Sequence, residues 1–537
     1  MKKLFSLIKN NINMLIVVAI SIGLRFINLG YSDYQGDEIK ALYLPEVGQN
    51  LSNFLVSQKK GPVQFLITYL IKFLDNSYSS QFLVRFPFAL AGVLAVIFFY
   101  KFVKLHFGER IAFYSSLFFS TSGLFVAFSR IVQYQSFVVL FAVLSLYFLS
   151  MAGLSEKYKV KGIFLGLLFW ALSILSHYDG VFIAPIAFYL LFSWFKNADL
   201  TVKQKISIFL IAGVLSLSLL LIFYLPFMSS FSESTADYWE SRITGSSSGK
   251  ISSSKYIFSL YQPVFSLGLY FVLSFFGSVL IVLGFMSRTI LSLKNLPNFV
   301  RNFFDHTTDV MVSVQKGRVR IVAIILWVAL AVGFFEGYVY IPGTHIYNYL
   351  LPTFILMGFG VVLIESAVFK VFEFPLVRIF NFLGIVLIIS FLTVQSYVVF
   401  VDHKREYPWE DEKFLIWTFR KPDTNFHLSL FGFPYYRNWD GIKNFVMSKP
   451  DIVAYYSNER RQIAGFYLDY DRNYDRAGAY VHIMNPQSFT DYIGSDKVAY
   501  WISKYDPVYT LTENGRDKVR LYMMEPGTLE EIKQRGF

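Results

Sequence analysis

Residues 206–228 read ISIFLIAGVLSLSLLLIFYLPFM, a run of 23 residues without a charged side chain. Backbone N–H and C=O groups find no water partners inside a bilayer, so such a run must cross it as an α-helix, for which about 20 residues suffice. The chain of 537 residues is 55% hydrophobic and only 16% charged, whereas soluble domains average about 25% charged residues. This composition predicts a polytopic α-helical membrane protein and excludes a set of ordinary soluble domains.

The apolar runs predict about eleven transmembrane helices. With the N-terminus inside, 20 of the 30 basic residues in 1–400 fall in inner loops, as the positive-inside rule requires. An odd number of crossings then places the chain after residue 400 on the outer face. The segment 62–74 is too short to span, so we predict an interfacial or re-entrant helix there. The predicted spans are 12–30, 83–104, 110–129, 133–150, 162–177, 180–195, 206–228, 263–286, 320–340, 347–367 and 378–400.

The last quarter of the chain has a different composition. Residues 401–537 hold 39 of the 86 charged side chains, which predicts a soluble C-terminal domain after a transmembrane domain of residues 1–400. Short apolar and β-branched runs indicate a mixed α/β domain. The chain has no cysteine, which excludes disulfides and thiolate metal sites. The predicted strands are 427–433, 452–456, 479–484 and 519–524, and the predicted helices are 441–447 and 458–467.

Polar and ionisable side chains gather on the predicted outer side. Such groups at membrane depth are costly and usually functional. The first outer loop contains the acidic pair Asp37-Glu38 and then the basic pair Lys59-Lys60. Arg25, Arg85 and Arg130 lie at or near outer helix ends, and later outer turns contain Gln133, His177, Asp179 and His345.

Carboxylates beside fixed cations suit a site that deprotonates a hydroxyl while an anionic group departs. Asp37 is the candidate base. Each residue also has a structural interpretation: an acidic pair can be solvated loop charge, terminal arginines can extend to the interface, and His177 and His345 can be interfacial. These histidines neighbour different carboxylates in the sequence, so we predict no metal site.

Several short motifs follow one another between residues 25 and 150. They are Arg25, Gly36-Asp37-Glu38, Lys60-Gly61-Pro62, Arg85-Phe86-Pro87 and Ser129-Arg130. In this order the chain resembles the membrane-embedded GT-C glycosyltransferases, specifically the bacterial protein O-mannosyltransferases and the aminoarabinose transferases of lipid A. Later outer turns, Tyr178-Asp179-Gly180 and His345 to Pro352, continue the resemblance.

The resemblance implies a GT-C fold and a polyprenyl-phosphate sugar as donor, with inversion at the anomeric carbon and no obligatory cofactor or metal. It implies a lipid, glycan or protein acceptor and no nucleic acid. Asp37 matches the catalytic acidic position, where it acts as the base, and Glu38 matches the position of its partner. A Lys-Gly pair common in some relatives is replaced by His177-Tyr178-Asp179, which leaves the sugar open. Implied donor-phosphate ligands are Lys60, Arg85, Arg130 and Arg25, and implied substrate-binding residues are Lys59, Gln133, His177, Asp179, His345 and Tyr347.

Alternative functions remain at this stage. A lipid-linked glycan flippase or transporter would show inverted repeats, which the sequence lacks. A ligase of preassembled glycan fits the same residues. We expect an inner (plasma) membrane protein with a cytoplasmic N-terminus and a periplasmic C-terminal domain.

Overall fold

The computed structural model describes residues 2–58, 60–230, 233–244, 250–291, 297, 301, 318–371, 375–406, 413–414, 417–418, 431–468, 477–487 and 502–525. Long helices dominate up to residue 400. Their bounds are Lys2–Phe26, Gln81–Phe107, Glu109–Thr121, Gly123–Ser129, Gln135–Leu154, Lys161–Ser176, Ala184–Asn197, Val202–Ser229, Leu267–Leu291, Arg318–Gly337, Tyr347–Val371 and Pro375–Phe400.

Seven helical segments in the described part of the chain are long and apolar enough to cross a membrane, and a bent helix pair forms an eighth candidate span. Three shorter apolar helices, Asn11–Phe26, Lys161–Ser176 and Ile321–Gly337, occupy the other predicted spans. Every predicted span therefore overlaps a helix or helix pair, and the chain is a multi-pass membrane protein. The predicted short helix appears as Val63–Lys72.

The third predicted span, 110–129, is wrong as a single helix. It breaks into Glu109–Thr121 and Gly123–Ser129, which meet at 62°. Ser122 adopts an extended conformation between them, with φ −64° and ψ 115°. The hydroxyl of Thr121 donates to the carbonyl of Leu117 at 2.8 Å, a local bond of the kind that competes with regular helix geometry. A Cβ on Gly123 would lie 3.2 and 3.3 Å from the rings of Phe265 and Phe400, so a larger residue would require these rings to shift by a few tenths of an ångström.

The region after residue 400 contains strands and short helices, as predicted. A small pair, β1 (Lys413–Phe414) and β2 (Trp417–Thr418), precedes a four-stranded sheet. The sheet has the order β3-β4-β6-β5, with β3 parallel to β4 and the other pairs antiparallel. The strands are β3 (Ala454–Ser457), β4 (Ala477–Ile483), β5 (Tyr509–Glu513) and β6 (Arg516–Met523), and the helices are Trp439–Met447 and Arg461–Tyr467.

Two details of the tail differ from the sequence prediction. The strand predicted at 427–433 lies partly outside the described residues, and residues 431–433 form no strand. Strand β5 was not predicted because it is an edge strand whose side chains are exposed or half-buried, so it lacks the apolar run that identifies buried strands.

One segment of the tail lies along the first outer loop. Asp33 N–H donates to the carbonyl of Tyr435 at 2.8 Å, and Arg437 N–H donates to the Asp33 carboxylate at 2.6 Å. Tyr34 N–H donates to the hydroxyl of Tyr467 at 2.7 Å. The tail therefore fixes the backbone immediately before the acidic pair.

Candidate active site

The acidic pair lies on a four-residue helix, Gly36–Ile39, in the first outer loop. Glu38 is buried, with 1% of its surface exposed, whereas the Asp37 side chain remains 24% exposed. Because neighbouring residues on a short helix point in different directions, the two carboxylates enter different environments. The sequence alone presents them as one pair.

Glu38 belongs to a saturated buried ion pair. One of its oxygens accepts from Arg85 Nε at 2.8 Å and from Val132 N–H at 3.1 Å. The other accepts from Arg85 Nη2 at 2.7 Å and from Gln35 N–H at 3.0 Å. Arg85 gives its remaining N–H groups to the carbonyls of Leu29, Ser32 and Asp33.

A guanidinium has five N–H donors, and all five of Arg85 are used inside the protein. Binding a donor phosphate at Arg85 would require some of these bonds to break. The arrangement instead connects the helix Gln81–Phe107 to the loop that carries Asp37. Glu38 and Arg85 therefore position the loop in this structure.

Asp37 lies beside a second set of groups contributed by two other segments. Its backbone carbonyl accepts from Gln133 Nε2 at 2.7 Å, and Gln133 Oε1 accepts from Lys60 Nζ at 3.2 Å. Among the described residues, the carboxylate itself makes only a 3.3 Å pair with Lys40, whose side chain is 57% exposed. Exposed pairs of this kind are weak, so the Asp37 oxygens remain accessible to a ligand.

Among the predicted phosphate ligands, Lys60 is the one that Gln133 connects to Asp37. Burial lowers the pKa of its ammonium, and the negative charge of Asp37 partly offsets that effect. Its Nζ also lies 5.1 Å from the ring centre of Tyr134. An ammonium has three N–H donors, and Lys60 uses one on Gln133, so it can still donate to an anionic ligand. Lys59, the other predicted residue of this pair, lies outside the described residues.

Arg25 and Arg130, two other predicted phosphate ligands, are buried. Arg130 Nη1 donates to three carbonyls at the end of the first helix, those of residues 24, 25 and 27, which satisfies groups that a helix end leaves unpaired. Arg25 is fully buried, and its Nη1 donates to the carbonyl of Ser120 at 3.1 Å.

Arg25 borders an internal cavity of about 10 Å³ with Gln135. Two buried polar atoms beside this cavity, Arg25 Nη2 and Gln135 Oε1, have no partner in the described part of the chain. A volume near 10 Å³ admits about one water molecule. The space is therefore too small for a phosphate in this conformation.

Three more predicted residues, His177, His345 and Tyr347, contact the carboxylate of a fourth, Asp179. Asp179 is buried, and its Oδ2 accepts from the Tyr347 hydroxyl at 2.7 Å and from Asn348 Nδ2 at 3.0 Å. His345 Nδ1 lies 2.7 Å from the same oxygen. Because a carboxylate only accepts, His345 carries its proton on Nδ1. His177 Nδ1 lies 3.1 Å from the other oxygen of Asp179.

This His177–Asp179–His345 cluster also has the spacing of a possible metal site. One ligand atom from each residue lies within 4.8 Å of the other two, and two imidazoles with a carboxylate are ligands that zinc accepts. The sequence did not suggest this convergence, because the two histidines are far apart in the chain. The hydrogen bonds from Tyr347 and Asn348 stabilise the Asp179 carboxylate through one of its oxygens, and the absence of a metal stays a prediction.

Stacked rings connect the two parts of the site. The rings of Tyr134 and His177 are nearly parallel, with centres 4.1 Å apart. Lys60 also lies over the ring of Tyr134, so Tyr134 contacts both residues. Contacts thus connect five of the predicted residues, of which Gln133, His177 and Asp179 are buried and Asp37 and Lys60 are partly exposed.

Sequence reasoning missed Tyr134, Asn348 and Asp33. Asn348 lies three residues after His345, a spacing that puts both on one side of a helical turn, and this signal was available. Tyr134 is one of 36 tyrosines and has no distinguishing pattern. Asp33 is buried against Arg437, and burial raises the pKa of its carboxyl to about 7.

The sequence profile of the dolichyl-phosphate-mannose-protein mannosyltransferases matches residues 59–224. This match confirms the resemblance to GT-C membrane glycosyltransferases and indicates a glycosyltransferase in general. The matched range includes Lys60, Arg85, Arg130, His177 and Asp179. No curated protein sequence matches the chain.

Solved structures similar to this chain include proteins from three organisms. ArnT from Cupriavidus metallidurans bound to undecaprenyl phosphate is 12% identical, with a TM-score of 0.48 over 95% of this chain and 97% of that one. The archaeal oligosaccharyltransferase AglB from Archaeoglobus fulgidus is 12% identical, with a TM-score of 0.45 over 83% and 59%. The S. cerevisiae Pmt1-Pmt2 complex is 15% identical, with a TM-score of 0.28 over 40% and 33%.

Proposed function

We propose that this protein transfers a single sugar from a polyprenyl-phosphate carrier to a hydroxyl acceptor at the outer face of the membrane, with inversion and without an obligatory metal. Asp37 takes the acceptor proton as the hydroxyl oxygen attacks the anomeric carbon. The bond from that carbon to the phosphate oxygen breaks, and the phosphate leaves with the electron pair.

The observation that carries this proposal is the difference between Asp37 and Glu38. Glu38 is buried and accepts four hydrogen bonds, so it is unavailable to substrate. Asp37 is partly exposed and makes one weak ion pair within the part of the chain that the structure describes. A general base must reach the proton that it abstracts, and Asp37 is the member of the acidic pair that can do so.

Lys60 is the cation that we assign to the departing phosphate. It is contributed by a different segment from Asp37, and Gln133 bonds to both. Positive charge held near the leaving group lowers the barrier by stabilising the charge that develops there. The buried arginines act indirectly in this proposal, because their bonds fix the loop and the first helix.

The side of the membrane is also part of the proposal. The basic residues favour a cytoplasmic N-terminus, which puts the loop of Asp37 and the C-terminal domain outside the cell membrane, in the periplasm of a bacterium. The sugar and the chemical class of the acceptor are not fixed by the residues around Asp37.

Transfer from synthetic short-chain polyprenyl-phosphate sugars tests the function with purified protein in detergent. We expect a glycosidic product with one sugar from a panel, and loss of about 10²- to 10⁴-fold in Asp37→Asn, the usual contribution of a general base. Glu46→Gln is the matched control, because Glu46 is an exposed carboxylate in the same loop. Product that is unaffected by Asp37→Asn would refute the mechanism, and absence of product with every donor and acceptor would refute the function.

A further inference from the structure

A second, larger cavity of about 330 Å³ lies between three membrane helices, Leu267–Leu291, Arg318–Gly337 and Tyr347–Val371. It lies toward the helix ends that also carry His345. Most of its wall is apolar, and two aromatic side chains at its opening, Phe258 and Phe275, are more than half exposed. A groove with this lining, inside one half of the bilayer, is suited to a hydrocarbon chain.

The polar groups of the groove are concentrated at its outer end. The hydroxyls of Ser253 and Tyr349 are buried there, close to each other, and neither makes a hydrogen bond of normal geometry within the described residues. By contrast, Ser274 and Thr353 in the wall donate to backbone carbonyls. Two neighbouring hydroxyls that bond to each other keep one O–H donor and several acceptor lone pairs. The outer end can therefore bond to a hydroxyl ligand.

The charge of the outer end selects against a phosphate. Glu336 is the charged side chain in the described lining, and one of its oxygens accepts from Ser254 N–H at 3.1 Å. Lys250 lies outside the lining and donates to the backbone carbonyl of Glu336. A carboxylate repels a phosphate monoester but accepts a hydrogen bond from an alcohol.

The outer end of the groove adjoins the site described above. The ring of Phe335 lies 6.1 Å from that of Tyr349 and 6.0 Å from that of His345. Through His345 and Asp179 the contacts continue to His177, which stacks on Tyr134. The ring of Phe335 therefore lies between the groove and the polar residues whose contacts continue to Lys60 and Asp37.

We propose that this groove binds the hydrocarbon chain of the acceptor, and that the acceptor is a lipid whose head group presents an uncharged hydroxyl. This inference rests on the proposed function. The head group extends past Tyr349 and His345 toward Asp37, which receives its hydroxyl proton when the oxygen bonds to the anomeric carbon. The donor phosphate binds on the opposite side, at Lys60.

Lipid binding without any donor tests the groove directly. The probes are dioleoylglycerol and dioleoylphosphatidic acid. Both have the same two acyl chains, but the head group is a hydroxyl in the first and a phosphate in the second. We expect purified protein to bind dioleoylglycerol more tightly. Val332→Trp fills the groove, whereas Leu330→Trp adds the same bulk to a side chain of the same helix that is 58% exposed. Filling the groove should weaken dioleoylglycerol binding about tenfold or more, by the cost of overpacking.

The control Leu330→Trp should bind as wild type does, and Tyr349→Phe, which removes one hydroxyl of the outer end without changing the ring, should weaken binding about threefold or more. Equal binding by Val332→Trp and Leu330→Trp, or tighter binding of phosphatidic acid, would overturn the proposal. Asp37-dependent transfer is measured separately on wild type. Its absence would refute the proposed function, whereas transfer that persists with unchanged lipid binding in Val332→Trp would refute only the groove.

Discussion

Two neighbouring carboxylates in one loop have opposite surroundings. Around Glu38, every oxygen and every N–H of its partner Arg85 is bonded within the protein. Around Asp37, the carboxylate is partly exposed, and Lys60 lies close enough for its pKa to respond to it. A saturated buried ion pair can hold a loop in place, whereas an accessible carboxylate beside a cation can carry out chemistry. The structure thus gives the two members of one dipeptide different surroundings, and the proposal assigns positioning to Glu38 and reaction to Asp37.

Removing the cation from the buried pair should have the largest effect on stability. Arg85→Met leaves Glu38 without its partner, and breaking a buried pair typically costs about 3–5 kcal/mol. We expect a clear drop in the midpoint of thermal unfolding, measured on detergent-solubilised protein.

The double variant Glu38→Gln/Arg85→Met distinguishes pairing from packing. With the charge of Glu38 also removed, its midpoint should recover part of the loss. A double variant less stable than Arg85→Met would show that the pair is not the cause.

Removing Lys60, the cation beside Asp37, should instead lower turnover. Lys60→Ala should lower kcat/KM by about 100-fold, comparable with the loss of one donor that stabilises a transition state, with little change in thermal unfolding. Lys60→Arg should retain more activity because it keeps the charge. Lys40→Ala serves as the control, and it should change kcat/KM by less than about threefold because that side chain is exposed and screened.

The pH dependence of turnover provides a second test of Lys60. Burial lowers the pKa of Lys60, so its positive charge is lost at a lower pH than that of an ordinary lysine. Activity should therefore fall on the alkaline side in wild type, and Lys60→Arg should move this decline to higher pH. An alkaline decline that is identical in both proteins would contradict a role for this charge.

Asp33 connects the loop to the tail and should make stability depend on pH. Burial raises the pKa of its carboxyl from 3.8 to about 7, so the folded protein holds a proton there that the unfolded chain releases. Stability should decrease as pH rises from about 4 to about 7, by at most about 1.4 kcal/mol per unit. Asp33→Asn should reduce this slope when unfolding midpoints are compared across that range. An unchanged slope would show that Asp33 is ionised in the folded protein.

Metal removal should have the smallest effect. Dialysis against a chelator should leave transfer within about twofold, because no proposed step uses a Lewis acid. A large loss that zinc restores in wild type, but not in His345→Ala, would show instead that the His177–Asp179–His345 cluster holds a required ion.

The helices were predictable because the bilayer imposes one rule on every apolar run. The break at Ser122 was not, since the apolar pattern continues through it and packing against rings from distant helices favours the bend. Likewise, composition identified a soluble tail, but no local signal marks the edge strand Tyr509–Glu513.

For the candidate site, the sequence indicated the loop that carries both carboxylates but not their different surroundings. The role of Glu38 depends on its ion pair with Arg85. The other N–H groups of Arg85 donate to the carbonyls of Leu29, Ser32 and Asp33, so none is available to a ligand. The meeting of His177 and His345 at Asp179 and the contact of Arg437 with Asp33 join residues far apart in the chain. Such contacts require the folded structure.

The most direct test of the division between the two carboxylates is to compare Asp37→Asn with Glu38→Gln, measuring sugar transfer and the midpoint of thermal unfolding for both. The account predicts that Asp37→Asn unfolds like wild type but loses transfer, whereas Glu38→Gln lowers the unfolding midpoint. Normal transfer by Asp37→Asn, or a Glu38→Gln variant that is fully stable but inactive, would contradict it.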